Sequence, residues 1–246
     1  MSRYFLEVAY KGTAYSGFQS QANANSIQAE VEKAFAILQK EKIIMTGSSR
    51  TDAGVHALQN YFHFDYVGLI HPHFGYKMNS ILPSDIVVKT IRPVAEECHC
   101  RFDAISRHYD YYIYQSKDPF LKDRAFYFPY KIDFEKMQEA AALIKDYQDF
   151  TSFSKRNTQA KTFLCEVMES DWSLKDNQLI YSVKSNRFLR GMVRALVATM
   201  LQAGRKKLSI EGFKSIIESK DCTKANFAAP AQGLFLSAIA YPQNYF

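Results

Sequence analysis

The sequence predicts an α+β protein built from two halves of related architecture. Alternating apolar residues predict strands, and apolar residues at helical spacing predict helices. The order strand, helix, strand, strand occurs twice along the 246 residues, with further elements after each set. Two mostly antiparallel sheets with helices on one face would leave a cleft between the halves. We expect residues 1–104 and 105–246 to be these halves.

The first half begins with a strand over 3–10, where every second residue is apolar or aromatic. A helix follows over 25–38. Asn25 and Gln28 have the spacing of a capping box at its start, and an apolar stripe runs from Ile27 to Leu38. The later elements of this half are strands near 43–46 and 59–65, a helix near 74–80 and a strand at 86–92.

The second half begins with a tyrosine-rich strand over 108–115. Asp133 is the expected cap of a helix whose apolar face includes Met137 and Ala141. The remaining elements are strands near 163–172 and 178–184, helices over 188–203 and 209–219, and a closing strand at 233–241.

The net charge of +6 is distributed unevenly. Residues 1–104 carry ten basic and ten acidic side chains, whereas residues 105–246 carry 21 and 15. Phe and Tyr together number 35. Phosphates attract Lys and Arg, and unpaired bases pack on aromatic rings, so this composition suits RNA. A basic protein with an aromatic core would have the same composition, so composition alone leaves both open.

Other classes of protein are disfavoured by what the sequence contains. Its apolar runs are far shorter than the roughly 20 residues of a membrane helix, and Glu7 interrupts the N-terminal apolar residues, so we expect a cytoplasmic protein with no membrane partner. Cys98-His99-Cys100 lacks the spacing of common zinc sites, so we expect free thiols and no metal.

The segment Arg50-Thr51-Asp52-Ala53-Gly54-Val55-His56-Ala57 is the strongest candidate for chemistry. It joins two apolar segments, and catalytic groups often lie on such loops. Asp52 is compatible with a nucleophile, a general base, a metal ligand or a turn residue. Gly54 permits an unusual backbone conformation. Arg50 is compatible with phosphate binding or with a surface ion pair to Asp52.

Two residues of the second half are further candidates. Arg194 lies beside the apolar stripe of its helix, and a partly buried guanidinium requires a carboxylate partner. Tyr109 begins the first strand of that half and is compatible with a core position. Arg101 lies near the junction of the halves, where a basic cleft could bind an RNA backbone.

Nine ordered motifs resemble those of the tRNA pseudouridine synthase A (TruA) family across nearly the whole chain. The catalytic loop of that family is matched without a break by Arg50 to His56. The other matches are Tyr10 to Gln21, Ser26-Ile27-Gln28, Asn79 to Pro83, His99 to Phe102, Arg107 to Tyr111, Asp149 to Phe153, Phe188 to Arg194 and Gly233 to Leu236. Three positions depart from the family's usual residues: Lys11 replaces Asp, Phe18 replaces Trp and Ser49 replaces Gly.

This resemblance implies the pseudouridine synthase fold, with two RRM or ferredoxin-like halves forming a continuous sheet. It also implies isomerisation of uridine to pseudouridine at positions 38, 39 and 40 of the tRNA anticodon stem-loop. No cofactor and no metal would be needed, and the enzyme would be a homodimer. The target base would leave its stack to reach the site.

The resemblance assigns catalytic roles to Asp52, Tyr109 and Arg194. Asp52 would be the nucleophile, Arg194 would keep it ionised, and Tyr109 would stack on the uracil. Substrate binding would involve Tyr109 with Arg50, His56, Arg101 and Leu234, the last as an apolar wall that excludes water.

Two other functions compete with this interpretation. A non-catalytic RNA-binding protein of two RRM-like halves would explain the basic and aromatic bias, but not the pairing of Asp52 with Arg194. A glycoside or nucleoside hydrolase usually needs two opposed carboxylates, and Asp52 alone has a convincing setting.

Overall fold

The computed structural model describes residues 1–156, 158, 160–243 and 245. The chain divides by its contacts into two units. The first unit is Met1–Ile105 together with Phe235–Phe246, and the second unit is Ser106–Leu234. The division expected at residue 104 assigned the closing strand to the second half, whereas that strand packs with the first unit. Periodicity identifies a strand but not the sheet that it joins, because pairing is a long-range contact.

The first unit is a mostly antiparallel sheet with the strand order β4-β1-β3-β9. Strand β1 pairs antiparallel with β3 and β4, β2 pairs antiparallel with β3, and β9 pairs parallel with β3. The elements of this unit are β1 Ser2–Tyr10, α1 Ile27–Gln39, β2 Thr46–Gly47, β3 His56–Tyr66, α2 Phe74–Asn79, β4 Ile86–Val94 and β9 Leu234–Ala240.

The second unit contains an antiparallel sheet of β5, β8 and β7, with β6 parallel to β5. Helix α3 packs on α4 and on β7. The α+β class and the mostly antiparallel sheets are therefore confirmed. The elements of this unit are β5 Ser106–Tyr114, β6 Phe126–Tyr127, α3 Phe134–Leu143, β7 Val167–Lys175, β8 Gln178–Ser185, α4 Met192–Gly204 and α5 Ile210–Glu218.

Aromatic packing fixes helix α1 against one face of the first sheet. The Phe35 ring is fully buried and contacts Phe64 and Tyr66 of β3 and Phe74 of α2, each edge to face at 5.2–5.6 Å. Such edge-to-face pairs add to the free energy gained by burying the rings. The N-cap of α1 is Ser26, whose hydroxyl accepts from Ala29 N, rather than the expected Asn25.

The expected cap of α3 is confirmed, because the Asp133 carboxylate accepts from Lys136 N. Helix α4 begins at Met192, four residues later than expected. Gly191 precedes it with φ +77°, a left-handed conformation that interrupts the helical backbone and that glycine adopts without strain. Phe188, Leu189 and Arg190 therefore lie before the helix.

Within the described residues, every helix is too short or too polar to cross a lipid bilayer.

His63 makes the stability of the fold sensitive to acid. Its side chain lies in the core of the first unit, where Nδ1 is 3.2 Å from Cys100 Sγ and the ring meets that of His99 edge on. Burial, aided by the positive charges of His99 and Arg3, lowers the pKa of His63 to about 4. The folded protein thus holds this imidazole neutral where an unfolded chain would protonate it.

We expect the free energy of unfolding to fall as the pH is lowered from about 6.5 to about 4, by about 1–3 kcal/mol from His63. Stability falls on acidification because protons bind the unfolded state more tightly than the folded state in this range. Urea unfolding of the wild type and of His63→Gln at several pH values would measure this fall. A variant with the same pH slope as the wild type would contradict the assignment to His63.

Candidate active site

Asp52 lies at the start of a tight turn between β2 and β3. The turn is closed by Val55 N donating to Asp52 O at 3.2 Å, and Gly54 adopts φ +80°. Position i+2 of a type II turn requires this positive φ, which explains the glycine. Thr51 and Val55 are buried on either side, whereas Asp52 is half-buried. The loop thus holds its two ends in the core and keeps the carboxylate near the surface.

A buried network of hydrogen bonds fixes the residues before Asp52. Tyr10 OH on β1 lies 2.8 Å from Thr51 Oγ1 and accepts from Asn60 Nδ2 at 3.2 Å. Asn60, on β3, also donates to Ser49 O at 2.8 Å. Buried polar groups are costly when unpaired, so these mutual bonds hold the loop in one conformation. Sequence reasoning did not assign a role to Tyr10 or Asn60, although a polar Asn60 beside the apolar residues of β3 was a usable signal.

The segment between β1 and α1 packs directly on this turn. Phe18 N donates to Thr51 O at 3.1 Å, and Gly12 N donates to His56 Nδ1 at 3.1 Å. A Cβ on Gly12 would lie 2.0 Å from Val55 O, so only glycine fits there. Gly17 has φ +120°, and a Cβ built on it would lie 3.3 Å from Thr51 O of the loop backbone.

His56 supports the loop from the core. It is 1% exposed, and its ring stacks on Phe235 of β9 at 4.5 Å. Because Nδ1 accepts from Gly12 N, a neutral imidazole carries its proton on Nε2. This placement favours positioning of the turn over direct contact with RNA.

Replacing Gly12 by Ala is expected to lower activity at least about tenfold, because the new methyl group must displace the Val55 carbonyl and with it the turn. Gly75→Ala is the matched control: its Cβ would meet Val88 Cγ1 at an ordinary 3.6 Å. Steady-state kinetics and melting temperatures of both variants measure the effect. Wild-type activity in a folded Gly12→Ala variant would show that the loop tolerates displacement.

Two of the departures from the family's residues lie in this packing. Phe18 stacks on Phe62 at 4.7 Å, and a Cβ on Gly47 would lie 2.2 Å from the Phe18 ring, so Gly47 makes room for it. Ser49 is buried, and its Oγ has no hydrogen-bond partner among the described residues. Lys11 is exposed and its backbone N donates to Asp85 O at 2.9 Å. Phe18 and Ser49 therefore lie within the packing around the loop, whereas the Lys11 side chain is exposed.

The second unit holds Tyr109 and Arg194. Tyr109 lies on β5, is 9% exposed and meets Phe188 edge to face at 5.0 Å. Arg194 is half-buried in the first turn of α4, and its Nε donates to Ala229 O at 2.7 Å. Apart from Arg194, all residues of the helix from Met192 to Leu201 are buried. The bond from Arg194 Nε to Ala229 O orients the guanidinium, and sequence reasoning had not identified this bond.

Electrostatics in the second unit keep a neighbouring phenol neutral. Burial raises the pKa of Tyr111, and the positive charge of Arg194 opposes this shift only in part. Tyr111 OH donates to Pro230 O at 2.8 Å, and Gly233 packs on its ring. Tyr111 therefore acts as a hydrogen-bond donor that anchors the segment before Leu234.

The remaining predicted binding residues differ in exposure. Arg50 and Arg101 are exposed, and the Arg101 guanidinium lies 5.7 Å from the centre of the Phe102 ring. Leu234 is 7% exposed at the start of β9. The four cysteines are free thiols, and the described residues contain no cluster of three or more His, Cys, Asp or Glu side chains that could hold a metal ion.

Comparison with known proteins agrees with the motifs on which this site is built. The model of a family described as tRNA pseudouridine synthase matches residues 7–103 and 143–242. The chain belongs to the tRNA pseudouridine synthase family.

Relatives match along the whole chain. A tRNA pseudouridine synthase A of Parabacteroides distasonis is 42% identical over 248 residues, covering 100% of this chain and 98% of its own. The Porphyromonas gingivalis protein of the same name is 43% identical over 251 residues, covering 100% of both. One from Staphylococcus aureus is 35% identical over 245 residues, covering 98% of this chain and 92% of its own. The regions matched by the family model include the loop that carries Asp52 and elements of both units.

Proposed function

We propose that this enzyme isomerises uridine to pseudouridine at positions 38, 39 and 40 of the tRNA anticodon stem-loop, with Asp52 as its nucleophile. Membership of the tRNA pseudouridine synthase family supports the isomerase class and the tRNA substrate. The observation that carries the role of Asp52 is its placement on a turn whose flanking residues are locked by buried contacts, while the carboxylate itself stays accessible.

The reaction exchanges one bond of uridine for another. The bond from N1 to C1′ breaks, the bond from C5 to C1′ forms, C5 loses a proton and N1 gains one. Atoms and electrons balance within the substrate, so neither an oxidant nor water is consumed. Asp52 would attack C1′ or assist departure of the uracil. A turn that cannot relax keeps the carboxylate in an attacking geometry at little entropic cost.

Tyr109 and Arg194 are proposed to complete the catalytic group. Arg194 would pair with Asp52 and keep it ionised, since a nearby positive charge favours the carboxylate. Its Nε bond to Ala229 O would fix the direction of the guanidinium. Tyr109 would stack on the uracil, with its ring held edge-on by Phe188. Leu234 would exclude water that could trap the glycosyl intermediate.

The exposed guanidinium groups of Arg50 and Arg101 suit contact with the RNA backbone. We further propose that the enzyme acts in the cytoplasm, where tRNA resides, and as a homodimer. The alternative, a non-catalytic RNA-binding protein, is not favoured, because family membership supports an enzyme.

The decisive experiment incubates the wild-type protein with unmodified tRNA transcripts and maps the pseudouridines formed. Modification at positions 38 to 40 supports the proposal in full. Modification elsewhere in tRNA would retain the isomerase and refute the site preference. Tight binding without any pseudouridine would favour the RNA-binding alternative.

A further inference from the structure

The second unit has exposed aromatic rings in segments rich in basic residues. The segments are residues 117–131 and the loop 205–207, and we call them together the aromatic-basic surface. The family model matches residues 7–103 and 143–242, so the first of these segments lies outside the matched part. None of the site residues proposed above lies in either segment of this surface.

The backbone of this surface is anchored by hydrogen bonds to β5 and the residue after it. Strand β6 pairs with Ile113 and Tyr114, Phe128 N donates to Tyr114 O at 2.9 Å, and Gln115 Nε2 donates to Tyr130 O at 2.6 Å. The loop 205–207 is held beside it, since Asp133 N donates to Gly204 O at 2.8 Å. Both segments are thus fixed before any partner binds.

Three of the rings form a chain of contacts, and the ring of Phe120 precedes them in the same segment. Phe126 contacts Phe128 at 5.4 Å, and Phe128 contacts Tyr130 at 5.0 Å. Tyr130 is 48% exposed and Phe120 is 79% exposed. Exposed rings are normally costly in water, so rings held in this way suit a partner that stacks on them.

Basic side chains are frequent in the same two segments. The Arg205 guanidinium lies over the Tyr130 ring, 4.0 Å from its centre. Lys206 Nζ lies 3.5 Å from Asp133 Oδ2, and this carboxylate offsets part of its charge. The two segments contain seven basic and two acidic side chains, a net charge of +5. The basic residues are Lys117, Lys122, Arg124, Lys131, Arg205, Lys206 and Lys207, and the acidic ones are Asp118 and Asp123.

We propose that the aromatic-basic surface binds unpaired nucleotides of the RNA substrate, stacking bases on Phe120 and Tyr130 and neutralising phosphates with its lysines. A nucleic acid combines flat bases, which stack on aromatic rings, with phosphates, which attract basic side chains. A second copy of this chain fits less well. A symmetric contact through this surface would oppose +5 with +5. Only the identity of the RNA as tRNA rests on the proposed function.

The test measures binding of a full-length unmodified tRNA transcript and of a uridine 30-mer to the intact protein. Phe120→Ala combined with Tyr130→Leu is expected to weaken both affinities about tenfold or more. The rate constant for isomerisation at saturating protein should stay within about twofold of the wild type. Tyr130→Phe keeps the ring and should retain affinity. Tyr76→Ala removes a ring that is 76% exposed in the first unit and is the matched control.

A charge variant provides an independent readout. Lys122→Gln combined with Lys131→Gln is expected to reduce the dependence of log affinity on log salt by about one to two, the effect of two lost phosphate contacts. Unchanged affinities and an unchanged salt slope would overturn the proposal. A changed molar mass in light scattering with unchanged RNA affinity would assign the surface to contacts between copies and would also overturn it.

Failure of the proposed function would be recognised separately. If the wild-type protein binds RNA but forms no pseudouridine, the isomerase assignment is lost, while the variant affinities still decide whether this surface binds nucleotides.

Discussion

Asp52→Asn is expected to abolish isomerisation, with a loss of at least about 10³-fold in turnover, while tRNA affinity changes little. Asparagine has nearly the shape of aspartate, so the turn closed by Val55 N and the buried contacts of Thr51 should persist. The asparagine amide, however, is a poor nucleophile and carries no charge. The loss should therefore appear in the chemical step and not in binding.

Release of tritium from C5-labelled uridine in tRNA measures this reaction directly, since the C5 proton is lost in every turnover. Asp171→Asn changes an exposed carboxylate of β7 and is the matched control, expected to behave as the wild type. Retained activity in a correctly folded Asp52→Asn variant would refute Asp52 as the catalytic group, and the family's carboxylate would then have to be sought elsewhere in the chain.

Arg194→Ala should reduce turnover by about 10²-fold or more, far more than it weakens tRNA binding. The substitution removes the positive charge proposed to pair with Asp52, and it removes the bond from Nε to Ala229 O. Steady-state kinetics and tRNA-binding measurements on the variant report the two effects separately.

Two comparisons separate this role from simple phosphate binding. Arg190→Ala removes an exposed guanidinium shortly before the same helix and should affect affinity rather than turnover. Arg194→Lys keeps a charge but loses the planar, anchored guanidinium, so we expect partial turnover. An Arg194→Ala variant that loses only affinity would show that Arg194 binds phosphate.

Local patterns were sufficient where short-range physics decides the outcome. The alternation in β1 and the helical spacing in α1 and α3 predicted these elements because one face of each must be buried. Asp133 was identified as a cap because its carboxylate satisfies the amides of its own first turn. The same patterns misplaced the start of α4, since the left-handed conformation of Gly191 is not visible in the apolar spacing.

The loop motif from Arg50 to His56 identified Asp52 as the candidate catalytic residue, but not the contacts that hold it. Tyr10, Gly12 and Asn60 are distant from Asp52 along the chain or lie on other elements, and their bonds to the loop exist only once β1 and β3 are paired. Phe235 reaches His56 for the same reason, through the parallel pairing of β9 with β3.

Residue types and their order thus predicted the α+β class, most element positions and the family, and they singled out Asp52 as the candidate catalytic residue, because each depends on neighbours in sequence or on an uninterrupted motif. Folding decided the rest: the assignment of the last strand to the first unit, the buried network that holds the turn, the anchoring of Arg194 and the placement of the Arg205 guanidinium over the Tyr130 ring. These features join residues far apart in the chain, and only tertiary packing creates the contacts that define them.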